Sequence, residues 1–256
     1  MTTQSNMLQN RTALVTGASR GIGRAIANLL AAHGARIAVH FGSDSHAAEA
    51  VRQELPGNGH VILQADLAQP ENAAALPDHA ADALGGLDMV INNAGIYTTH
   101  DIDTLDTGNW QKEWDRTIAI NLTAPSLIMH GAVPHLVQSG GGHLVNITSR
   151  GAFRGEPEAP AYGAAKAGLN SLTQSLALKL APKNIHLVAV APGWVLTDMT
   201  ESFLNGPGGE EIRGQSPMNR TALADEVAQV VLLAVSGRAD ALTGGIIDVN
   251  CASYLR

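Results

Sequence analysis

The sequence has few of the residues on which disulfide-bonded, metal-binding and membrane proteins depend. It holds one cysteine, Cys251, so no disulfide can form within the chain. Its ten histidines show no His-Glu-x-x-His spacing, and we predict no metal site. No apolar run approaches the ~18 residues that cross a bilayer, and the N-terminus lacks a basic start followed by an apolar stretch. We expect a cytoplasmic protein with no membrane partner.

Basic residues are also scarce, since 16 lysines and arginines stand against 23 aspartates and glutamates and give a net charge of -7. This balance argues against a surface that follows nucleic-acid phosphates, and we expect no nucleic-acid partner. Hydrophobic residues make up 45% of the 256 residues, enough for a substantial core in one α/β domain. No low-complexity linker, charge block or repeat marks a boundary. We therefore predict a single domain over residues 1–256, with residues 1–10 as an N-terminal tail.

Short apolar runs of β type alternate with helical patterns along the chain, which predicts a parallel sheet. Runs such as ALVT and HLVAVA are apolar at both odd and even positions, as in strands that helices cover on both faces. The predicted fold is α/β, a single-domain doubly wound parallel sheet (Rossmann-like) with helices on both faces. The predicted strands are 12–16, 36–41, 60–64, 87–92, 143–148 and 185–191, and the predicted helices are 22–33, 45–55, 70–84, 109–137 and 161–180.

Two stretches have the composition of loops. Residues 150–160 follow the fifth strand, and residues 197–220 contain Gly206-Pro-Gly-Gly209, which interrupts any helix. We predict that residues 197–220 form a substrate lid. In the first stretch, Arg150 and Arg154 are expected to be surface charges.

A glycine-rich turn follows the first predicted strand and leads directly into a helical pattern. It reads Thr16-Gly-Ala-Ser-Arg-Gly-Ile-Gly23. Glycines permit a tight turn and a close backbone approach, while the amides and dipole of the helix N-terminus favour a pyrophosphate. The alternative is an ordinary strand-to-helix turn that uses glycine for its dihedral angles.

Tyr162 and Lys166 stand four residues apart, so a phenol and an ammonium share one helix face. A free phenol titrates near 10 and transfers protons poorly at neutral pH. A cation beside it favours the phenolate and moves the pKa towards the working range, as general acid catalysis requires. The Tyr-x-x-x-Lys spacing also occurs by chance. Ser149 ends the fifth strand, where its hydroxyl can bond the backbone.

The order and spacing of these motifs resemble the classical short-chain dehydrogenase/reductase family over almost the whole chain. The resemblance is carried by residues 16–23, Asn92-Asn-Ala-Gly95, Ser149, Tyr162-x-x-x-Lys166 and Pro192-Gly193. It implies an oxidoreductase that interconverts a ketone and a secondary alcohol by hydride transfer. It also implies the catalytic roles: Ser149 polarises the carbonyl oxygen, Tyr162 delivers the proton, Lys166 holds the tyrosine and the nicotinamide ribose, and Asn121 kinks its helix and holds a water that links Lys166 to solvent.

The resemblance further implies which residues bind the dinucleotide. Asp66 would bind the adenine edge beside Leu67, whereas the Val195 backbone and the Thr197 hydroxyl would bind the carboxamide. Alternatives remain for three of the residues in these motifs. Asp66 could be a loop aspartate or a helix N-cap, Thr197 could cap a following helix, and Asn92 could be a hinge between strands. The predicted cofactor-binding residues are Gly17, Ser19, Arg20, Gly21, Ile22, Gly23, His40, Ser43, Asp66, Leu67, Asn93, Ala94, Gly95, Tyr162, Lys166, Pro192, Gly193, Val195 and Thr197.

Charge favours NADP(H) over NAD(H) as the cofactor. An enzyme that prefers NAD usually has a carboxylate at the end of the second strand, where it repels the extra phosphate of NADP. This chain has Phe41 there, with Ser43 nearby, and Arg20 in the glycine turn supplies a cation. Asp44, the predicted N-cap of the next helix, argues in the other direction.

A small-molecule ketone or alcohol is the expected substrate. Family members that act on carrier-protein substrates have two arginines where this chain has Gly140 and Lys183. This difference weakens the prediction that a carrier protein presents the substrate. The resemblance implies a homotetramer that pairs through residues 224–235 and 242–250. Two alternatives are a catalytically silent nucleotide-binding sensor or scaffold, and an epimerase or dehydratase, whose larger substrate domain does not fit in this length.

Overall fold

Nine strands are present in the computed structural model, which describes residues 6–197 and 200–256. Seven of them form one parallel sheet in the order β3-β2-β1-β4-β5-β6-β9, and β7 and β8 form a separate pair. The strands are β1 (Thr12–Val15), β2 (Arg36–Phe41), β3 (Val61–Gln64), β4 (Met89–Asn92), β5 (Gly142–Ile147), β6 (Ile185–Pro192), β7 (Val195–Leu196), β8 (Ala222–Leu223) and β9 (Ile246–Val249).

Helices connect successive strands and cover both faces of this sheet, so the predicted doubly wound fold is confirmed. The helices are α1 (Gly21–Ala32), α2 (Ser45–Glu54), α3 (Pro70–Leu84), α4 (Thr107–Ile118), α5 (Ala124–Gln138), α6 (Gly151–Arg154), α7 (Pro160–Leu180), α8 (Glu201–Leu204), α9 (Gly209–Gly214) and α10 (Ala224–Val235).

Four segments differ in detail from their predictions. The long helix predicted over 109–137 is two helices, α4 and α5, joined by a π-helical turn at Ala119–Thr123. The loop predicted over 150–160 contains α6, and the loop-like stretch 197–220 contains α8 and α9. Residues 6–10 of the predicted tail are folded, because Leu8 packs into the core with 1% of its surface exposed. The rest of that tail, and residues 198–199 of the predicted lid, lie outside the described residues.

The core has two layers because the strands present alternate side chains to opposite faces. Ala13 and Val15 of β1 join one apolar cluster with α1, α2 and α10, whereas Leu14 joins the other with α3, α5 and α7. All four residues of β1 are buried. A strand buried on both faces gains apolar contacts from two helical layers. This explains why the strand runs in the sequence are apolar at both odd and even positions.

The sheet order places a cleft at the carboxyl ends of its central strands. The chain moves outward from β1 through β2 to β3, then returns to pair β4 with the other side of β1. Loops after β1 and β4 therefore diverge to opposite faces and leave a crevice between them. Asn92 at the end of β4 donates through Nδ2 to Asn146 Oδ1 of β5 at 2.9 Å, so it does link neighbouring strands.

Candidate active site

The glycine-rich turn lies at this cleft and leaves the N-terminus of α1 open. Gly17 and Gly21 have φ angles of 61° and 54°, in the left-handed region that favours glycine. Gly23 has no space for a side chain, since a Cβ there would overlap the Gly17 carbonyl oxygen and lie 2.5 Å from Asn93 Nδ2. The N-cap residue of α1 is Arg20, whose guanidinium cannot accept a hydrogen bond from the first-turn amides. Such amides suit an anion, so the turn fits the pyrophosphate of a dinucleotide.

Hydrogen bonds from the end of β4 hold this turn in place. The Thr16 hydroxyl accepts from the backbone N–H groups of Asn93 and Ala94, both at 2.9 Å. The Asn93 amide nitrogen donates to the carbonyl oxygens of Thr16 at 2.9 Å and Gly17 at 3.1 Å. Asn93 lines the cleft, as predicted for a cofactor contact, but its amide nitrogen binds the turn itself.

His40 holds the turn through a hydrogen bond with its backbone. The imidazole is 2% exposed, and its Nδ1 lies 3.1 Å from the Gly17 backbone nitrogen, which donates to it. Its Nε2 lies 3.1 Å from the Ala65 carbonyl oxygen, so the hydrogen-bond pattern assigns the proton to Nε2. Burial lowers the pKa of His40 to about 4. His40 therefore fixes Gly17 and Ala65 relative to each other with both ring nitrogens.

The other end of the cleft is formed by the loops after β2 and β3. Phe41 is buried, whereas Ser43 and Asp44 are exposed. Asp44 accepts from the backbone nitrogen of Ala47 at 2.9 Å and is the N-cap of α2, as predicted. Asp66 accepts from the Ala68 backbone nitrogen at 3.0 Å in a loop, and the N-cap of α3 is Gln69. The alternative that Asp66 caps the helix is therefore wrong.

Ser149 and Tyr162 meet at the centre of the cleft. The Ser149 hydroxyl accepts from the Gly151 backbone nitrogen at 3.0 Å, so its bond to the backbone is confirmed, whereas its role on a substrate oxygen stays a prediction. Burial raises the pKa of Tyr162 to about 12, although the Ser149 hydrogen bond lowers it in part. The expectation that Lys166 lowers this pKa is wrong, because desolvation of the phenol dominates the shift and the Lys166 Nζ lies 5.7 Å from the ring centroid.

Lys166 and Asn121 both lie close to Gly95. Lys166 is 3% exposed, and its Nζ donates to the Ile147 carbonyl oxygen at 2.8 Å. Burial lowers the pKa of Lys166 to about 8. A Cβ at Gly95 would lie 3.2 Å from Asn121 Oδ1 and 3.4 Å from Lys166 Nζ, so both groups approach this glycine closely. Asn121 sits in the π-helical turn, where the predicted kink occurs.

The end of β6 and the segment after it line the cleft with Pro192, Gly193 and Thr197. The Gly193 backbone nitrogen donates to the Val249 carbonyl oxygen at 3.0 Å, which ties this segment to β9. A Cβ at Gly21 would lie 3.4 Å from the Thr197 side chain, so Thr197 faces the glycine turn. The N-cap of α8 is Thr200, and the alternative that Thr197 itself caps this helix is therefore wrong.

The cleft has a volume of about 380 Å³. Of the predicted site residues, all but Gly23, Val195 and Asn121 are among its described lining residues. Gly23 and Val195 are buried behind it, and Asn121 lies beside Lys166 without reaching the surface of the cleft. One cleft thus brings together the glycine turn, the loop that contains Asp66 and Leu67, and the group Ser149, Tyr162 and Lys166.

Some contacting residues have no sequence signal that would have identified them. Tyr97 packs edge-on against the Tyr162 ring with the centroids 5.1 Å apart, and His100 contacts the start of α7. Arg150 is 4% exposed and donates to Ser253 and Gln215, both at 2.6 Å, so its prediction as a surface charge is wrong. Burial, followed by the nearby Arg154 charge, lowers the pKa of Arg150 to about 10. Arg154 is exposed, as predicted.

Within residues 6–197 and 200–256, no helix is long and apolar enough to cross a membrane. The same residues contain no group of three or more His, Cys, Asp or Glu side chains arranged to hold a metal ion.

Comparisons with known proteins agree with this geometry. Residues 17–251 match a family model described as Enoyl-(Acyl carrier protein) reductase. The chain is 35% identical over 251 residues to a 3-oxoacyl-[acyl-carrier-protein] reductase of Staphylococcus aureus, covering 97% of this chain and all of the relative. It is 34% identical to a short-chain type dehydrogenase/reductase of Picea abies, covering 95% and 92% of the two chains. A short chain dehydrogenase from Burkholderia cenocepacia, solved in complex with NADP, is 33% identical with a TM-score of 0.88, covering 96% and 99%.

Proposed function

The chain belongs to the classical short-chain dehydrogenase/reductase family, and from that premise we propose that it is an NADP(H)-dependent oxidoreductase that interconverts a ketone and a secondary alcohol. One observation carries the proposal. Ser149, Tyr162 and the buried Lys166 line the same cleft as the glycine turn. This arrangement supports a site in which Tyr162 is the proton donor beside the reactive ring of a bound dinucleotide.

Ser149 and Tyr162 act on the substrate oxygen. When bound, NADPH supplies the hydride that adds to the carbonyl carbon. The two hydroxyl groups donate hydrogen bonds to the oxygen as negative charge develops on it, and Tyr162 then transfers its proton. Because its pKa of about 12 keeps the phenol protonated at neutral pH, Tyr162 is ready to act as the acid in the reduction direction. In alcohol oxidation the same groups act in reverse.

Lys166 and Asn121 support these reacting groups. Lys166 holds its ammonium beside the cleft through the Ile147 carbonyl oxygen, in position to bind the nicotinamide ribose. Asn121 approaches Gly95 beside Lys166 and would hold the water through which Lys166 exchanges protons with solvent. In these roles all four residues are needed for turnover, which distinguishes the enzyme from a silent sensor or scaffold.

NADP(H) is the favoured cofactor. Arg20 is exposed in the glycine turn, and Phe41 replaces the carboxylate that would repel the extra phosphate. The Asp44 carboxylate, which argued for NAD, is bound to the α2 N-terminus. The Burkholderia relative was solved with NADP, which agrees with this choice. We expect kcat/KM to be higher with NADPH than with NADH, and an equal or higher efficiency with NADH would contradict the charge argument.

The remaining assignments extend the same proposal. Residues 1–256 act as one catalytic domain, with residues 197–220 as its substrate lid. The protein acts on small ketones or alcohols in the cytoplasm, and it assembles as a homotetramer through α10 and β9. The Staphylococcus relative is named for a carrier-protein substrate, so the substrate panel should include a 3-oxoacyl thioester.

The test is oxidation of NADPH, followed by its absorbance, against a panel of neutral, charged and thioester ketones. Tyr162→Phe keeps the ring packed against Tyr97 but removes the proton donor. We expect it to bind NADPH as the wild type does and to lose turnover by about 10²–10⁴-fold. A wild type that binds NADPH and reduces no ketone would favour the sensor, and a Tyr162→Phe variant with retained turnover would refute the role of the tyrosine.

A further inference from the structure

A short segment at residues 96–100 links the catalytic side chains to one another. It begins at Ile96, whose backbone is bound on both sides by Asn121. Asn121 Oδ1 accepts from the Ile96 nitrogen at 2.9 Å, and Asn121 Nδ2 donates to the Ile96 carbonyl oxygen at 2.8 Å. Asn121 is fully buried, so its amide group fixes where this segment starts.

The segment ends at His100, which contacts the first turn of α7. His100 has no exposed surface, and its Nε2 lies 3.0 Å from the backbone nitrogen of Ala161, which donates to it. Its Nδ1 lies 2.9 Å from the Thr98 carbonyl oxygen, so the pattern assigns the imidazole proton to Nδ1. The His100 backbone nitrogen also donates to the Glu158 carbonyl oxygen at 2.9 Å. Ala161 directly precedes Tyr162.

Helix α7 needs this contact because its own N-terminus lacks a capping side chain. The N-cap residue is Ala159, which has no side-chain acceptor, and Pro160 has no backbone N–H. The first free amide of the helix is therefore that of Ala161, and an unpaired buried amide is unfavourable. His100 supplies from a distant part of the chain the acceptor that a serine or aspartate usually supplies locally.

Between these two ends, Tyr97 packs against the catalytic ring itself. The Tyr97 and Tyr162 rings meet edge to face at an interplanar angle of 68°. The segment thus contacts Asn121, the Tyr162 ring and the amide that precedes Tyr162. The bond to Ala161 restricts the position of the helix turn that carries Tyr162. The Tyr97 ring restricts the orientation of the Tyr162 ring, and the bonds to Asn121 restrict the distance between Asn121 and the phenol.

We propose that His100 is a positioning residue for Tyr162, and that residues 96–100 couple the phenol to Asn121 by capping the catalytic helix. The proposal rests on the proposed function of Tyr162 as the acid. A misplacement of about 1 Å at a reacting group costs about 10²-fold in rate. Loss of the cap should therefore reduce kcat while the dinucleotide, held mainly by the loops after β1 to β3, still binds.

The test compares His100→Leu with His60→Leu. His60 is a matched control: it is also buried, its Nδ1 accepts from the Ile37 backbone nitrogen at 3.1 Å, and its Nε2 lies 3.0 Å from the Pro56 carbonyl oxygen. It lies beside β3, outside the catalytic group. We expect His100→Leu to lower kcat by about 10- to 100-fold at saturating ketone with the Kd for NADPH within threefold of wild type. His60→Leu should keep the wild-type kcat.

Two further variants keep the test decisive where His100→Leu does not fold. Glutamine can place an oxygen where Nε2 lies, whereas asparagine is one methylene shorter and cannot reach Ala161. The proposal predicts a higher kcat for His100→Gln than for His100→Asn. Equal kcat values in this pair, or a His100→Leu kcat within twofold of wild type, would overturn it.

Hydrogen exchange separates this proposal from the proposed function. The amides of residues 161–164 should exchange faster in His100→Leu than in wild type and His60→Leu, whether or not the protein turns over a ketone. If exchange is faster in His100→Leu but the wild type reduces no ketone, the capping proposal stands and the proposed oxidoreductase activity is refuted. Unchanged exchange would refute the cap itself.

Discussion

Protonation of His40 should make the stability of this protein depend on pH in a defined window. The pKa of His40 is lowered by burial from its ordinary 6.5 to about 4 in the fold. In the unfolded chain the imidazole takes up a proton as the pH falls below about 6.5, whereas in the folded chain it stays neutral down to about pH 4. The unfolded state therefore binds more protons in this window, and the free energy of unfolding falls as the pH falls.

The magnitude follows from the size of the change in pKa. At about 1.4 kcal/mol for each unit of pKa, the His40 contribution lost between pH 7.5 and 4 is about 3 kcal/mol. Above about pH 6.5 this contribution is fully present, because the imidazole is neutral in both states. In that form Nδ1 accepts from Gly17 and Nε2 donates to Ala65, and protonation of Nδ1 would remove the first of these bonds.

The assay is urea unfolding from pH 4.5 to 7.5, followed by tryptophan fluorescence at fixed protein concentration, for wild type and His40→Asn. Asparagine can place its Oδ1 near the position of Nδ1 and does not titrate. We expect the difference in unfolding free energy between the two proteins to shrink by about 2 to 3 kcal/mol as the pH falls. The other histidines titrate in both proteins, so their contributions cancel. A difference that stays constant across this pH range would refute the reasoning.

Two substitutions and one mass measurement test the cofactor site and the assembly. Gly23→Ala should raise the Kd for NADPH by more than about 100-fold with unchanged circular dichroism, since its methyl group would overlap the Gly17 carbonyl oxygen; tight binding would contradict the close packing. Arg20→Ala should lower kcat/KM for NADPH by about tenfold and leave that for NADH unchanged, whereas an equal loss with both would assign Arg20 no role in phosphate selection. Light scattering should give a mass near four times 26.6 kDa, and a monomer mass would exclude the tetramer.

The fold could be predicted from the sequence because its determinants are local and repeated. Apolar runs such as Ala13, Leu14 and Val15 specify strands buried on both faces, and each alternates with a helical pattern. The glycine turn was recognisable because its backbone angles demand glycine at Gly17 and Gly21. Helix periodicity placed Tyr162 and Lys166 on one face, and the resemblance to a known family linked Ser149 to them.

Other features depend on contacts that no local pattern encodes. The π-helical turn at Ala119–Thr123 interrupts a sequence whose periodicity reads as one helix, and Asn121 alone hinted at a kink. Arg150 reads as a surface charge, yet its partners Gln215 and Ser253 come from much later in the chain. The pKa of Tyr162 was predicted in the wrong direction because helix spacing reveals the neighbouring ammonium but not the desolvation around the phenol.

The amino-acid sequence by itself determined the order of the strands and helices and the glycine-rich turn, because backbone preferences and hydrophobic periodicity act over a few residues. Its motifs indicated the candidate reacting side chains through their resemblance to a known family. Only the tertiary structure decided how those groups are held. His40 and His100 are separated from their partners Gly17 and Ala161 by 23 and 61 residues. Burial and hydrogen bonding across such distances arise from packing, which sets the orientation of both imidazoles and lowers the pKa of His40.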